Sequence, residues 1–354
     1  MIDGKYVIAV DAMGGDNAPA AVVAGAVEAL KNQDVLILLV GRDEALSQEL
    51  RKHDYDKGRI RIISAASIIT GEDNPVSAVK AKKDSSMVVG LGLLKSRQAE
   101  AFVSAGNTGA LLAASTVLVG RIKGIERPAI AAVIPTAEAP FMLLDSGANV
   151  DCKPSYLAQF AKMGAVYMED VRGVSKPRVG LVNIGEEREK GNGLVKEAFR
   201  LIEADTELNF VGNIEARELP FGAVDVAVCD GFVGNVVLKH TEGLSKALLG
   251  MVKKELLASP LSKLGALLSK GAFSSLRRRF NSDDIGGAPF LGLRALVVKA
   301  HGSSDASAIA GAINQCVSFI ANDIVRKIEQ RISATAIEED GCAQEGEPFQ
   351  IGET

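Results

Sequence analysis

The chain has 354 residues, 47% of them hydrophobic, with a formal net charge of −4. That length supports one large domain with an ample core, and the lack of a basic excess, with only 5% aromatic residues and no Trp, excludes a nucleic-acid partner. The four cysteines (Cys152, Cys229, Cys316, Cys342) form no CxxC pair, no stretch of about 18 uncharged apolar residues occurs, and "MIDGKYVIAV" has no signal-peptide core, so we expect a reduced, cytoplasmic protein with no membrane span.

Short apolar, β-branched runs alternate with longer amphipathic runs. In chain order, "KYVIAV", "VLILLV", "IRII", "AFVS", "AIAAVI", "FMLLD", "RVGLVN", "VDVAVCD" and "ALVVKA" predict strands. Several are apolar throughout, as in strands covered on both faces. Between them the pattern predicts helices over Ala20–Lys31, Asp43–His53, Pro75–Arg97, Thr108–Val119, Ser155–Met168, Leu194–Glu203, Val236–Leu257 and Ser304–Arg331. Asn74-Pro75 makes a cap and first-turn pair. This alternation gives an α/β, three-layer α/β/α expectation with a mostly parallel sheet. We expect one catalytic domain over residues 1–336, with room for two lobes around a cleft, and an acidic, fraying tail over 337–354.

The turns after six of these strands share a character. "VDAMGGDNAP" (Val10–Pro19), "SAGNTG" (Ser104–Gly109), "DSGAN" (Asp145–Asn149), "NIGEE" (Asn183–Glu187), "DGFVGN" (Asp230–Asn235) and "KAHGSSD" (Lys299–Asp305) each place Gly and small polar residues between a strand and a helix. In parallel sheets such turns lie at the carboxyl ends of the strands, where ligands bind. "SAGNTG" is the most informative. Gly106 and Gly109 free the backbone, Ser104, Asn107 and Thr108 offer short donors, and a helix starts at Asn107 or Thr108, which makes an anion site or an ordinary N-cap. There is no GxxxxGK[ST] and no GxGxxG.

Of the three histidines, His53 sits in a charged surface run and His240 reads as structural. His301 follows a strand at the expected ligand edge, and Lys299, two residues earlier, points to the same side of an extended chain. A cation beside an imidazole suits holding an anion and moving a proton. The acids of this edge, Asp11, Asp16, Asp145, Glu186, Glu187, Asp230 and Asp305, would repel an anion. Their open roles are bracing basic side chains, holding Mg²⁺ or capping helices.

Between residues 246 and 280 the character changes to eight cations against the single acid Glu255. Leu257, Leu261, Leu264 and Leu268 fall on one helical face, ahead of Arg277, Arg278 and Arg279. This pattern fits an anionic membrane surface, an acidic protein partner or a dimer interface.

The loops taken together, "AVDAMGGDNAP", "SAGNTGA", "DSGAN", "NIGEE", "DGFVGN", "GGAPFLG" and "KAHGSSD", resemble the motif series of the PlsX family, the acyl-ACP:phosphate acyltransferases of bacterial phospholipid synthesis. The match runs in order from about Val7 to Arg331, with Ile285 before "GGAPFLG" as a departure where an aromatic is expected. The resemblance implies that inorganic phosphate attacks the thioester of acyl-ACP directly, giving acyl phosphate and free carrier protein without an acyl-enzyme; no cofactor and no metal ligand is assigned, and participation of a metal is left open. It also implies a homodimer, a fold like isocitrate and isopropylmalate dehydrogenases, and kinship with phosphotransacetylase, while the basic 246–280 segment carries the separate expectation of peripheral association with the inner face of the cell membrane. On that reading the catalytic candidates are His301, as general acid, with Lys299, Asn183 and Asp230. Gly14, Gly15, Asp16, Ser104, Gly106, Asn107, Thr108, Gly109, Asp145, Asn149, Gly231, Asn235 and Ser303 are the candidates to hold phosphate and thioester. Competing readings are a phosphotransacetylase-like enzyme acting on acyl-CoA, an NAD-dependent decarboxylating dehydrogenase, and a non-catalytic membrane scaffold of lipid synthesis.

Overall fold

The computed structural model describes residues 4–136, 138–271 and 286–342, with side chains as far as 333. The first half of the chain forms β1 (Tyr6–Asp11), α1 (Ala20–Ala29), β2 (Val35–Gly41), α2 (Asp43–Leu50), β3 (Ile60–Ser64), α3 (Pro75–Ala81), α4 (Ser86–Lys95), β4 (Ala101–Ser104), α5 (Thr108–Leu118), β5 (Ala129–Ile130), β6 (Ala132–Ile134) and β7 (Phe141–Leu144). Then follow α6 (Pro154–Asp170), β8 (Arg178–Asn183), α7 (Gly193–Glu203), β9 (Asn209–Glu215), β10 (Val226–Val228), α8 (Gly231–Leu256), α9 (Pro260–Leu268), β11 (Ala288–Leu291), β12 (Leu296–Lys299), α10 (Ala306–Ala321) and α11 (Ile324–Cys342).

The strands divide into two sheets, ordered β3-β2-β1-β4-β12-β11-β5 and β6-β7-β10-β8-β9. Pairing is parallel except where β11 meets β12 and β5, and where β6 meets β7. The run "AIAAVI", read as one strand, supplies β5 to the first sheet and β6 to the second, with the break at Ala131.

Alternation explains the layers, since successive side chains leave a strand on opposite faces. In the first sheet, Ile8, Val10, Val35, Ile37 and Leu39 pack with α1 and α10, whereas Val7, Ala9, Leu36, Leu38 and Val40 pack with α4 and α5. In the second, Met142, Leu144, Val179 and Leu181 face α6 and α7, and Phe141, Leu143 and Ala227 face the first turns of α8. The fold is therefore a three-layer α/β/α arrangement with mostly parallel sheets. One core cluster spans both sheets through α6 and α10, where Tyr167 and Phe319 meet edge to face at 5.4 Å.

Several elements differ from the expectation for identifiable reasons. The helix expected over Pro75–Arg97 is two, because the Ser85 side chain accepts from Val88 N–H and caps a new start. The one expected over Ser304–Arg331 breaks at Asp323, which has φ 51°. α8 begins at Gly231 rather than Val236, so "DGFVGN" is its first turn, capped by Asp230. A Cβ at position 234 would lie 1.9 Å from the Asp145 carbonyl oxygen, so glycine there serves close packing, not helix termination. β9 and β11 were not expected as strands.

Candidate functional site

The strand order sets which turns can meet. β4 and β12 are neighbours in the first sheet, and β7 and β10 are neighbours in the second. Their carboxyl ends border a cavity of about 520 Å³. Thr108, Ser146, Gly147, Asn235, Lys239, Glu242 and the Lys299–Gly302 turn line it, with Ile130, Val133 and Leu238 as apolar wall.

Thr108 opens α5, whose first-turn N–H groups have no intrahelical partner. Asn107 caps that helix, its Oδ1 accepting from Ala110 N–H at 2.9 Å. Ser104 is buried and donates to Asp11 Oδ2 at 2.7 Å, while its oxygen accepts from Gly106 N–H. Asp11 also accepts from Met13 N–H, and burial raises its carboxyl above the usual range. Gly14 and Gly15 lie against this loop. A Cβ at 14 would come 2.8 Å from Gly106 N, and one at 15 would come 2.9 Å from Ala105 Cβ and 3.0 Å from the Gly302 carbonyl. What approaches the paired glycines closely is thus the neighbouring loops. Gly15 also has φ +101°, the region glycine favours. Asp16 donates its N–H to Gly302 O at 2.8 Å and tethers the first turn to the last. Gly109, exposed, packs beside Pro75.

Asp145 is fully buried and accepts from the N–H groups of Ile130, Gly147, Ala148 and Asn149 and from Asn149 Nδ2. Burial outweighs these donors and raises its carboxyl too. Asn149 is committed to Asp145 and to Pro128 O, and Gly231 N–H to Asn149 O at 2.7 Å. Asp230 accepts from Val233 N–H at the start of α8. These four residues fix the turns after β7 and β10 behind the cleft rather than lining it. Asn183 stands apart, donating to Lys190 O, because β8 lies two strand spacings from β7, roughly 10 Å. Of the amides considered, Asn235 is the one on the cleft wall, beside Gly147.

Lys299 Nζ donates to Ala105 O at 3.2 Å and to Ala300 O. Burial lowers its pKa to about 8, against the opposing pull of Asp11 and Asp16. His301 contacts Lys239 Nζ through Nε2 at 3.3 Å and Ser303 Oγ through Nδ1 at 2.9 Å. Burial, then the charge of Lys239, holds its imidazole below the ordinary range. Sequence reasoning missed Lys239. The available signal was its place four residues after Asn235, with Leu238 and Glu242 on the same helical face.

The nearby thiols are poor nucleophiles, since burial pushes Cys152 up to about 12 and raises Cys229 further above its usual range. Leu257, Leu261, Leu264 and Leu268 are exposed on or beside α9. Arg277, Arg278, Arg279 and Ile285 lie outside the described residues.

Residues 6–327 match a family model described as fatty acid synthesis protein. A phosphate acyltransferase of Alkaliphilus oremlandii is 49% identical over 332 residues, 94% of this chain and 99% of that protein. A putative phosphate acyltransferase of Clostridium perfringens is 50% identical over 327 residues, 92% of this chain and 96% of that protein. Among solved structures, a phosphotransacetylase from Streptococcus pyogenes shares the fold with a TM-score of 0.60 at 16% identity, over 93% of this chain and 94% of that one.

Proposed function

The chain belongs to the PlsX family of phosphate acyltransferases and is an enzyme that transfers an acyl group to phosphate, and from that premise we propose that its donor is acyl-ACP and that phosphate attacks the thioester directly. The observation that carries the reading is the cleft itself, where the start of α5 faces Lys299, Lys239 and His301. Phosphate sits at the N-terminus of α5, with Thr108 donating hydrogen bonds to it and Lys299 balancing its charge. The thioester lies along α8, and the Asn235 amide donates to the oxyanion that forms when the phosphate oxygen adds to the carbonyl carbon. Collapse of that adduct expels the thiolate and leaves acyl phosphate, the precursor for phospholipid synthesis.

Direct attack needs no nucleophile from the chain. Ser303 and His301 are close enough to resemble a nucleophile–base pair. With Lys239 donating to Nε2, however, Nδ1 carries the ring proton and cannot take one from Ser303. The enzyme acts as a homodimer, joined along the exposed apolar stripe Phe232, Val236, Leu244, Leu248 and Met251 of α8, and docks peripherally on an anionic membrane at the inner face of the cell membrane through α9.

The test combines purified protein, acyl-ACP and inorganic phosphate. Acyl phosphate forms, acyl-CoA is a poor donor, and acyl-ACP alone leaves the mass of the protein unchanged. A protein adduct of acyl mass in the absence of phosphate would replace direct attack by a covalent route. Preference for acyl-CoA would favour a phosphotransacetylase-like role. No phosphate-dependent acyl release at all would favour a scaffold.

A further inference from the structure

Lys239 and His301 come from different sheets: Lys239 from α8, which follows β10, and His301 from the turn after β12. They meet at 3.3 Å across the cleft, and Lys239 also reaches Glu242 Oε2 at 2.9 Å. An ammonium donates three hydrogen bonds and accepts none. His301 Nε2 must therefore accept, which puts the proton of the neutral ring on Nδ1, facing Ser303 Oγ at 2.9 Å. The Ser303 N–H, 3.3 Å from Nδ1, is then a contact without a free lone pair to receive it. Partial burial and the neighbouring charges of Lys239 and Lys299 favour the neutral ring, against the opposing pull of Glu242. His301 thus offers no proton at the Nε2 that faces Lys239, whereas Lys239 has a third N–H and lines the cleft between Asn235 and Glu242.

Resting on the transfer reading above, we propose that Lys239 is the catalytic residue that protonates the departing thiolate, and that His301 and Glu242 are positioning residues that aim it. A phosphate oxygen forms a bond to the thioester carbonyl carbon, the C–S bond breaks, and its electron pair stays on sulfur. The sulfur takes a proton from Lys239 Nζ. The amine recovers a proton from the hydroxyl of the transferred phosphate. Monohydrogen phosphate and a thioester thereby give an acyl phosphate dianion and a thiol, with no net proton gained or lost.

The experiment compares two acyl donors on the full-length enzyme: the alkyl thioester of the carrier protein, and a nitrothiophenyl thioester whose thiolate leaves unprotonated. Lys239 is exposed, so its variants keep the fold, which thermal unfolding checks. Lys239→Met lowers kcat on the alkyl thioester about 100-fold or more, the usual scale of general-acid catalysis, and leaves the aryl thioester and the phosphate KM within about threefold of wild type. Lys239→Arg shows the same selective loss, because a guanidinium keeps charge and donors but does not release its proton. His301→Gln, which still offers Lys239 an acceptor, retains more kcat on the alkyl thioester than His301→Leu. Equal loss on both donors, a raised phosphate KM, or recovery in Lys239→Arg would make Lys239 an anion ligand and overturn the proposal. Wild-type enzyme inert toward both thioesters would instead overturn the transfer reading, and this role with it.

Discussion

Lys299 is a half-buried cation at the cleft whose surroundings shift its proton. Burial lowers its pKa to about 8, while Asp11 and Asp16 pull the other way and Lys239 adds to the lowering. The unfolded chain holds this proton up to its ordinary range near 10.5. Between those values the unfolded state binds more protons, so the contribution of Lys299 to stability rises with pH there, while its charge toward phosphate disappears. The phosphate KM of the wild type therefore climbs roughly tenfold per pH unit above about 8, whereas in Lys299→Arg this climb is absent. Steady-state KM values from pH 6.5 to 9.5 check it, and a flat wild-type profile would separate Lys299 from phosphate binding. That Lys299 and His301 share the cleft edge was legible from their two-residue spacing at the end of one strand. Lys239 was not, because a lysine in a basic helix looks solvated until the opposite sheet brings His301 to it.

At the scale of elements, most strands and helices followed from period and caps, and the exceptions have local causes. β9 is half exposed and breaks its apolar residues with Gly212 and Asn213, "NFVGNIE", so it lacked the continuous apolar signal of its neighbours. β11 contains Pro289 and follows paired glycines, which read as a loop. α8 is 26 residues long and carries both a cleft face, with Asn235, Lys239 and Glu242, and exposed apolar residues such as Leu244, Leu248 and Met251. At its far end, Leu261 and Leu268 of α9 are each 81% exposed, flanked by Lys253, Lys254, Lys263 and Lys270. An apolar face with a basic rim suits an anionic bilayer. In a flotation assay with anionic vesicles the wild type floats. Leu261→Glu/Leu264→Glu stays behind, while its sedimentation remains that of the wild-type dimer. Unchanged flotation would remove the membrane role of α9, and monomeric wild-type protein would remove the dimer.

At the scale of the molecule, the decisive feature is the division of the strands into two sheets with a cleft where their carboxyl ends meet. The alternation of runs made the α/β class legible and left room for two lobes around a cleft, but it did not locate the division, because the break is a single residue, Ala131, inside an unbroken apolar run. The division also explains why the six similar turns play unequal parts. Those after β4, β7, β10 and β12 border the cleft, the turn after β1 braces its neighbours, and the turn after β8 stands a further strand away. Sequence could mark all six, whereas strand order ranks them. The central claim is that phosphate binds in this cleft on the side of the first sheet, between the start of α5 and Lys299. A crystal structure of the enzyme soaked in phosphate tests it most directly. The account predicts phosphate about 3 Å from the Thr108 or Gly109 N–H and from the Lys299 ammonium. Phosphate bound only outside the cleft, such as among Arg121, Lys123 and Arg294, would contradict it.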